Sequence, residues 1–186
     1  MIITERTLTL RDGRTAVLRS PREVDIPSLL ELLRNVTEET DFLMRYPEEA
    51  CEYTPELEQI FIENINGHAH NAMALCVVDG RVVGSCTIST SQRIKLRHRA
   101  GIGISVLRDF WGQGIGTALM EAVIDAAREN PNLLQIELEF LEGNTRAQQL
   151  YEKLGFRIVS VHPNAIQRKD GTLCHAYLMV KELKRG

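Results

Sequence analysis

The run Val106-Leu107-Arg108-Asp109-Phe110-Trp111-Gly112-Gln113-Gly114-Ile115-Gly116-Thr117 constrains this chain more than any other part of it. A β-prone stretch, residues 97–107, ends there; three glycines alternate, and an apolar-striped segment begins. The spacing of Ile115, Leu119, Ala122, Val123 and Ala126 predicts a helix over 114–129, stopped by Asn130-Pro131. Glycines, lacking Cβ atoms, let backbone approach a ligand closely. The first N–H groups of a helix point outward, and the helix dipole favours an anion there. The turn is therefore expected to hold phosphate, above all a pyrophosphate; a glycine-rich turn without a ligand is the plain alternative. Two familiar phosphate loops do not fit. No GxxxxGK run followed by Ser or Thr exists, and Gly112-x-Gly114-x-Gly116 has the wrong last spacing for GxGxxG.

The elements around this turn follow from local signals. Residues 3–19 read as a hairpin about Arg11-Asp12-Gly13. Ser20 is expected to cap a helix with Pro21 at its first position and Glu23 closing a capping box, ending near Asn35. A polar loop, Thr37 to Tyr53, separates it from a second helix opened by Thr54-Pro55 and ended by Asn66-Gly67. Ala72 to Val78 and Arg81 to Ser91 pair about Asp79-Gly80. After the 114–129 helix come a strand at 133–141, a helix at 144–154 closed by Gly155, and two strands at 156–161 and 175–180. A polar loop is expected over 162–174, and Lys181 to Gly186 reads as a basic tail. The order ββ-αα-βββ-α-β-α-ββ gives one α/β domain over residues 1–186 with a mixed sheet, without the strict βαβ alternation of a doubly wound fold.

Composition narrows the class of function. A chain of 186 residues suits one domain and buries roughly 70 % of its unfolded surface without staples. A net charge of −3 argues against a protein that coats DNA or RNA. Cys51, Cys76, Cys86 and Cys174 form no CxxC pair and read as reduced thiols, although Cys76 and Cys86 are placed to face each other across a hairpin. His68-Ala-His70 lacks a third ligand, so no metal is expected. No apolar run approaches the ~20 residues of a membrane span. The opening MIITERTLTL lacks a basic start before an apolar core, so the chain reads as cytoplasmic, with no membrane and no nucleic-acid partner.

Two motifs carry a family resemblance. Arg-Asp-Phe-Trp-Gly-Gln-Gly-Ile-Gly-Thr (108–117) resembles the acyl-CoA turn of the GNAT superfamily of acetyl-CoA-dependent N-acetyltransferases, whose pattern is Arg/Gln-x-x-Gly-x-Gly/Ala. Gly114 and Gly116 match its glycines, while Trp111 stands at the first position and offers phosphate no guanidinium or amide. Asn144 to Phe156 resembles the family's late helix, N-x-x-A-x-x-x-Y-x-x-x-G-F. The segment 37–43, Thr-Glu-Glu-Thr-Asp-Phe-Leu, resembles the substrate-side loop of one branch. The resemblance, best over residues 70–180, implies a GNAT fold: a mixed, mostly antiparallel twisted sheet of about seven strands flanked by about four helices. It implies acetyl-CoA as cosubstrate, no metal, and, as relatives are often dimers, a homodimer. Val106, Gly112, Gln113, Gly114, Ile115, Gly116, Thr117 and Asn144 are the implied cofactor-binding residues, and strand 97–107 is implied to splay from strand 133–141 around the pantetheine arm. Tyr151 is the implied general acid for the departing thiolate. Asn144 and Tyr151, seven residues apart, align within about 20° on one helical face and can address one ligand, with Asn144 also suited to cap the helix.

The implied chemistry is direct attack of an amine on a thioester. An amine with a pKa near 10.4 is ammonium at pH 7, and removing its proton costs about 4.6 kcal/mol. A base or water relay is needed, and the Val106 N–H is the expected oxyanion donor. The strand leading to the turn, 97–106, contains no carboxylate, where many relatives place a glutamate. His98, Glu137 and Glu139 remain as open candidates, with Glu137 also placed to face the substrate, and Glu38, Glu39 and Asp41 as holders of the ammonium, each against a solvated alternative. The expected function is an N-acetyltransferase acting on a primary amine of a small molecule or a protein; the alternative is a non-catalytic acyl-CoA sensor. Residues 38–63 hold nine acids and one base, and residues 93–108 five bases and no acid. These read either as two solvated faces or as a field divided between anionic CoA and a cationic amine.

Overall fold

The computed structural model describes residues 1–50 and 52–183. Among them are eight strands and five α-helices: β1 Arg6–Thr9, β2 Thr15–Arg19, α1 Ile26–Glu39, α2 Pro47–Ala50, α3 Pro55–Gly67, β3 Ala72–Val78, β4 Arg81–Thr90, β5 Arg99–Val106, α4 Ile115–Arg128, β6 Gln135–Leu141, α5 Thr145–Lys153, β7 Arg157–Gln167 and β8 Leu173–Glu182. The chain forms two compact units, one of Met1–Ser89 with Gly103–Pro131, the other of Thr90–Ile102 with Asn132–Gly186. Strand β5 supplies residues to both.

In the first unit β1, β2, β3 and β4 form an antiparallel meander in spatial order. Strand β3, Ala-Met-Ala-Leu-Cys-Val-Val, is buried along almost its whole length, as expected of a strand covered on both faces. Helix α4 packs on β3 with Ile115, Leu119, Met120, Val123 and Ala127 buried. Each such Leu, Ile or Val contributes about 1.5–3 kcal/mol on burial. Helices α1 and α3 pack together, and Thr54 caps α3, its hydroxyl oxygen accepting from the Leu57 N–H at 3.3 Å. Asp79-Gly80 makes the expected turn, both with positive φ (49° and 81°).

The start of α1 departs from the sequence expectation. Ser20 does not cap a helix; its Oγ accepts from the Ile3 N–H at 2.7 Å. The guanidinium of Arg19 donates to both carboxylate oxygens of Asp25, at 2.6 and 2.8 Å, and both side chains are buried. The pair fixes Asp25, the last residue of a short 3-10 turn over Glu23–Asp25, so α1 starts five residues later with Pro27 in its first turn and runs on to Glu39 rather than ending near Asn35. The polar loop expected over 37–53 also carries α2.

In the second unit β6 runs antiparallel to β8, and β8 to β7. The parallel pairing of β5 with β6 covers Arg99–Gln135 to Gly101–Glu137. The loop expected over 162–174 is mostly strand: β7 continues to Gln167 and β8 begins at Leu173, with register shifts near Asn164 that absorb Pro163. The tail also differs, since β8 reaches Glu182; residues 184–186 and Cys51 lie outside the described residues. Cys76 opposes Gly84, and Cys86 opposes Ala74, so the two thiols are not cross-strand partners and are free. Burial pushes the Cys76 thiol up to about 12 and the Cys86 thiol higher still, which suits buried, un-ionised side chains.

Candidate active site

The glycine turn is built from the residue up. After β5, Arg108–Phe110 forms a 3-10 turn, and Gly112 and Gly114 adopt positive φ (78° and 89°). Gly114 is the N-cap of α4 and has no side chain to satisfy the helix start. The first intrahelical bond runs from Ala118 N–H to Gly114 C=O at 3.1 Å, so the N–H groups of Ile115, Gly116 and Thr117 precede the ladder. A Cβ at Gly114 would meet nothing within 4 Å, so the space over the turn is open. No acid lies in the first turn of α4. The residues present therefore fit an anionic group such as a pyrophosphate. Ile115 is 1 % exposed, so its contribution is limited to backbone. The Gln113 side-chain carbonyl accepts from the Asp12 N–H at 3.2 Å, tying the turn to the β1–β2 hairpin.

Trp111, the departure from the family pattern, has a local task. Its indole N–H donates to the Val106 carbonyl at 2.8 Å, and the Arg108 guanidinium lies 5.6 Å from its ring centroid. Glu39 in turn holds Arg108: its carboxylate accepts from the Arg108 N–H at 2.8 Å, and its backbone carbonyl accepts from the Arg108 guanidinium. Glu39, expected from the sequence to hold a substrate ammonium, is engaged here instead; residue type carries no signal of this contact, because the partners are 69 positions apart. Glu38 and Asp41, offered for the same task, are exposed.

In the same unit a cavity of about 620 Å³ opens beside α1 and α3. Leu29, Leu32 and Val36 of α1, with Leu57 and Phe61 of α3, give it an apolar lining. It reaches β5 at Ser105, the residue before Val106. Glu58 lines it as well, and burial raises its carboxyl above the ordinary range. In the sequence Glu58 is one of nine acids in residues 38–63, and its place beside Leu57 and Phe61 on one helix is the signal that sets it apart.

The second unit carries the late helix. The Asn144 side-chain oxygen accepts from the Ala147 N–H at 3.2 Å and caps α5. Tyr151, 8 % exposed, lies 6.2 Å ring to ring from both Phe140 and Phe156. Glu137, offered as a substrate residue, is occupied: Arg99 lies 3.2 Å from its carboxylate and the Gln135 amide donates to it at 2.7 Å. Glu139 is exposed. The His98 carbonyl accepts from Leu134 and Gln135 N–H at 2.7 and 3.2 Å, which gives the backbone of His98 a structural task. The Nδ1 of His68 accepts from the N–H groups of His70 and Asn71, and among the described residues no three potential ligands come together for a metal.

Comparison with known proteins agrees with these features. The model of the acetyltransferase (GNAT) family matches residues 33–156. An L-amino acid N-acetyltransferase of Escherichia coli is 33% identical over 104 residues, 56% of this chain and 64% of that protein, so the chain spans less than two thirds of that relative. An N-alpha-acetyltransferase of Saccharolobus solfataricus is 29% identical over 179 residues, 92% of this chain and 95% of the relative. The crystal structure of an acetyltransferase of the GNAT family from Streptococcus pneumoniae superposes with a TM-score of 0.86 at 26% identity, covering 90% of this chain and 99% of that one. The mixed α/β architecture with eight strands and five helices among the described residues is the GNAT fold, one strand and one helix richer than the rounded expectation.

Proposed function

The chain belongs to the acetyltransferase (GNAT) family, and from that premise we propose that residues 1–186 act as one N-acetyltransferase domain that moves the acetyl group of acetyl-CoA to a primary amine by direct attack in a ternary complex. The observation that carries this reading is the Gly112–Thr117 turn, with its left-handed Gly114 opening α4. Acetyl-CoA, when bound, supplies the acetyl group as a reactive thioester. The N–H groups of Ile115, Gly116 and Thr117, with the backbone of Gly112, Gln113 and Gly114, take the pyrophosphate. The Val106 N–H receives the developing oxyanion. As the amine nitrogen bonds to the carbonyl carbon, the carbon–sulfur bond breaks and Tyr151 gives its proton to the departing sulfur. Asn144, through its amide nitrogen, addresses the same ligand. The acceptor, an ammonium at neutral pH, gives one proton to a base or water before attack and a second as the amide forms. This reading adopts a cytoplasmic, homodimeric enzyme; among the described residues no helix is long and apolar enough to cross a membrane.

The named relatives act on an L-amino acid and on N-alpha positions, which supports an α-amine as the acceptor class. One observation favours a second reading, a non-catalytic acyl-CoA sensor: β5 has no carboxylate, and Glu137 is occupied by Arg99. Release of free thiol from acetyl-CoA against a panel of amines separates the two. The enzyme reading expects sustained turnover, and Tyr151→Phe is expected to lower kcat at least about 100-fold, in the range of lost general-acid catalysis, with acetyl-CoA affinity kept. Failure of acetyl-CoA to bind at millimolar concentration refutes both.

A further inference from the structure

Glu58 sits on the wall of the 620 Å³ cavity, on the same helix as the apolar lining residues Leu57 and Phe61. Among the described residues no arginine, lysine or histidine pairs with it. A half-buried carboxylate without a basic partner is stabilised when a cation enters the cavity beside it. The cavity has the size of a small-molecule site, and besides Glu58 its polar lining is Arg45, Glu52, Tyr53, Ser85 and Ser105. It also touches Ser105, next to the expected oxyanion donor, so an occupant lies beside the strand where the acetyl carbon would be attacked.

We propose that this cavity receives the acceptor's side chain and that Glu58 holds its ammonium, so the preferred acceptor is a primary amine whose carbon bears a bulky apolar side chain. The proposal rests on the acetyltransferase reading. The same chemistry is offered by a free amino acid and by a peptide N-terminus. Arg45, which also lines the cavity, lies over the Tyr53 ring with its guanidinium carbon 4.8 Å from the centroid, and no carboxylate pairs with it among the described residues. It is placed to distinguish the two sources through the carboxylate of a free amino acid.

The test measures thiol release by the purified full chain with leucine, methionine, phenylalanine, glycine, serine and aspartate. Each is supplied both as the free amino acid and as the first residue of an otherwise constant tripeptide. In at least one series the apolar acceptors are expected to exceed glycine and serine by about 10-fold or more in kcat/KM; the series that does so identifies the source. Glu58→Gln is expected to raise the acceptor KM by about 10-fold, in the range of a lost charged hydrogen bond, with the Kd for acetyl-CoA unchanged. Phe61, 41% exposed, tolerates truncation better than a core residue, so Phe61→Ser serves as the second variant and is expected to reduce the apolar preference. Glycine matching leucine in both series, or an unchanged acceptor KM in Glu58→Gln, overturns the pocket assignment alone. Acetyl-CoA binding with no amine acetylated overturns the acetyltransferase reading, and the assignment with it.

Discussion

Trp111 shows how one residue can occupy a motif position and do a different job there. Its indole N–H satisfies the carbonyl of Val106, the residue whose own N–H is read as the oxyanion donor, while Arg108 and Glu39 brace the ring and the turn. Removing the indole donor leaves that half-buried carbonyl without its partner, at a cost of about 1–3 kcal/mol. Trp111→Phe keeps the ring's packing, so its expected loss in urea unfolding is near about 1 kcal/mol. Its effect on catalysis is expected to be larger: a several-fold lower kcat with little change in acetyl-CoA affinity, checked by steady-state kinetics and calorimetric titration. Equal losses in kcat and affinity would instead assign Trp111 to ligand binding. The sequence identified Trp111 as a departure but not its partner, because a side-chain bond to a carbonyl five residues back has no signature in residue type.

Strands β4 and β5 meet closely at Gly84, and this is where element packing controls the candidate site. A Cβ there would lie 3.1 Å from the Ser105 carbonyl, 3.2 Å from Leu119 Cδ1 and 3.2 Å from Val106 Cγ2. The Ser105 oxygen is backbone and cannot swing aside, so Gly84→Ala must displace β5 or α4. Overpacking of this kind costs about 1–3 kcal/mol. The expected result is a lower Tm together with a reduced kcat, since the displaced segment includes Val106; a full-activity variant at unchanged Tm would show that β5 has slack there. Among the helices, α3 and α5 were legible because their caps, Thr54 and Asn144, act three residues along the chain. The start of α1 was not, since Ser20 is claimed by Ile3 and Asp25 by Arg19.

Across the whole chain, charge is arranged less simply than a count suggests. Of the five bases in 93–108, Arg93, Lys95 and Arg97 precede β5 and Arg108 follows it, while Arg99 is paired with Glu137. The nine acids are dispersed too: Glu39 braces Arg108, Glu49 accepts from the Tyr46 N–H, and Glu63 accepts from Gln59. The pair that matters to global stability is Arg19–Asp25, buried on both sides. Burial acts against the charged form of Asp25, but the Arg19 hydrogen bonds, the Arg22 N–H and both arginine charges outweigh it and lower its pKa. A carboxyl depressed in the folded state adds stability above its unfolded pKa of about 4, and that contribution is lost as pH falls through the folded value. Unfolding free energy is therefore expected to fall below about pH 4. Asp25→Asn, which strands a buried guanidinium, is expected to cost about 3–5 kcal/mol at pH 7 and to flatten that acid slope. Urea titrations at several pH values check both, and an unchanged slope in the variant would remove Asp25 from the acid transition. By itself the sequence determined the glycine turn with its helix, the Asp79-Gly80 hairpin and the late helix capped by Asn144, because left-handed backbone, capping and helical spacing are properties of neighbours in the chain. Only the tertiary structure decided where α1 begins, that β7 runs on to Gln167 against β8, which acids are occupied, and that Glu58 lines a cavity. Those outcomes depend on partners distant in the chain, whose hydrogen bonds and burial override local preference.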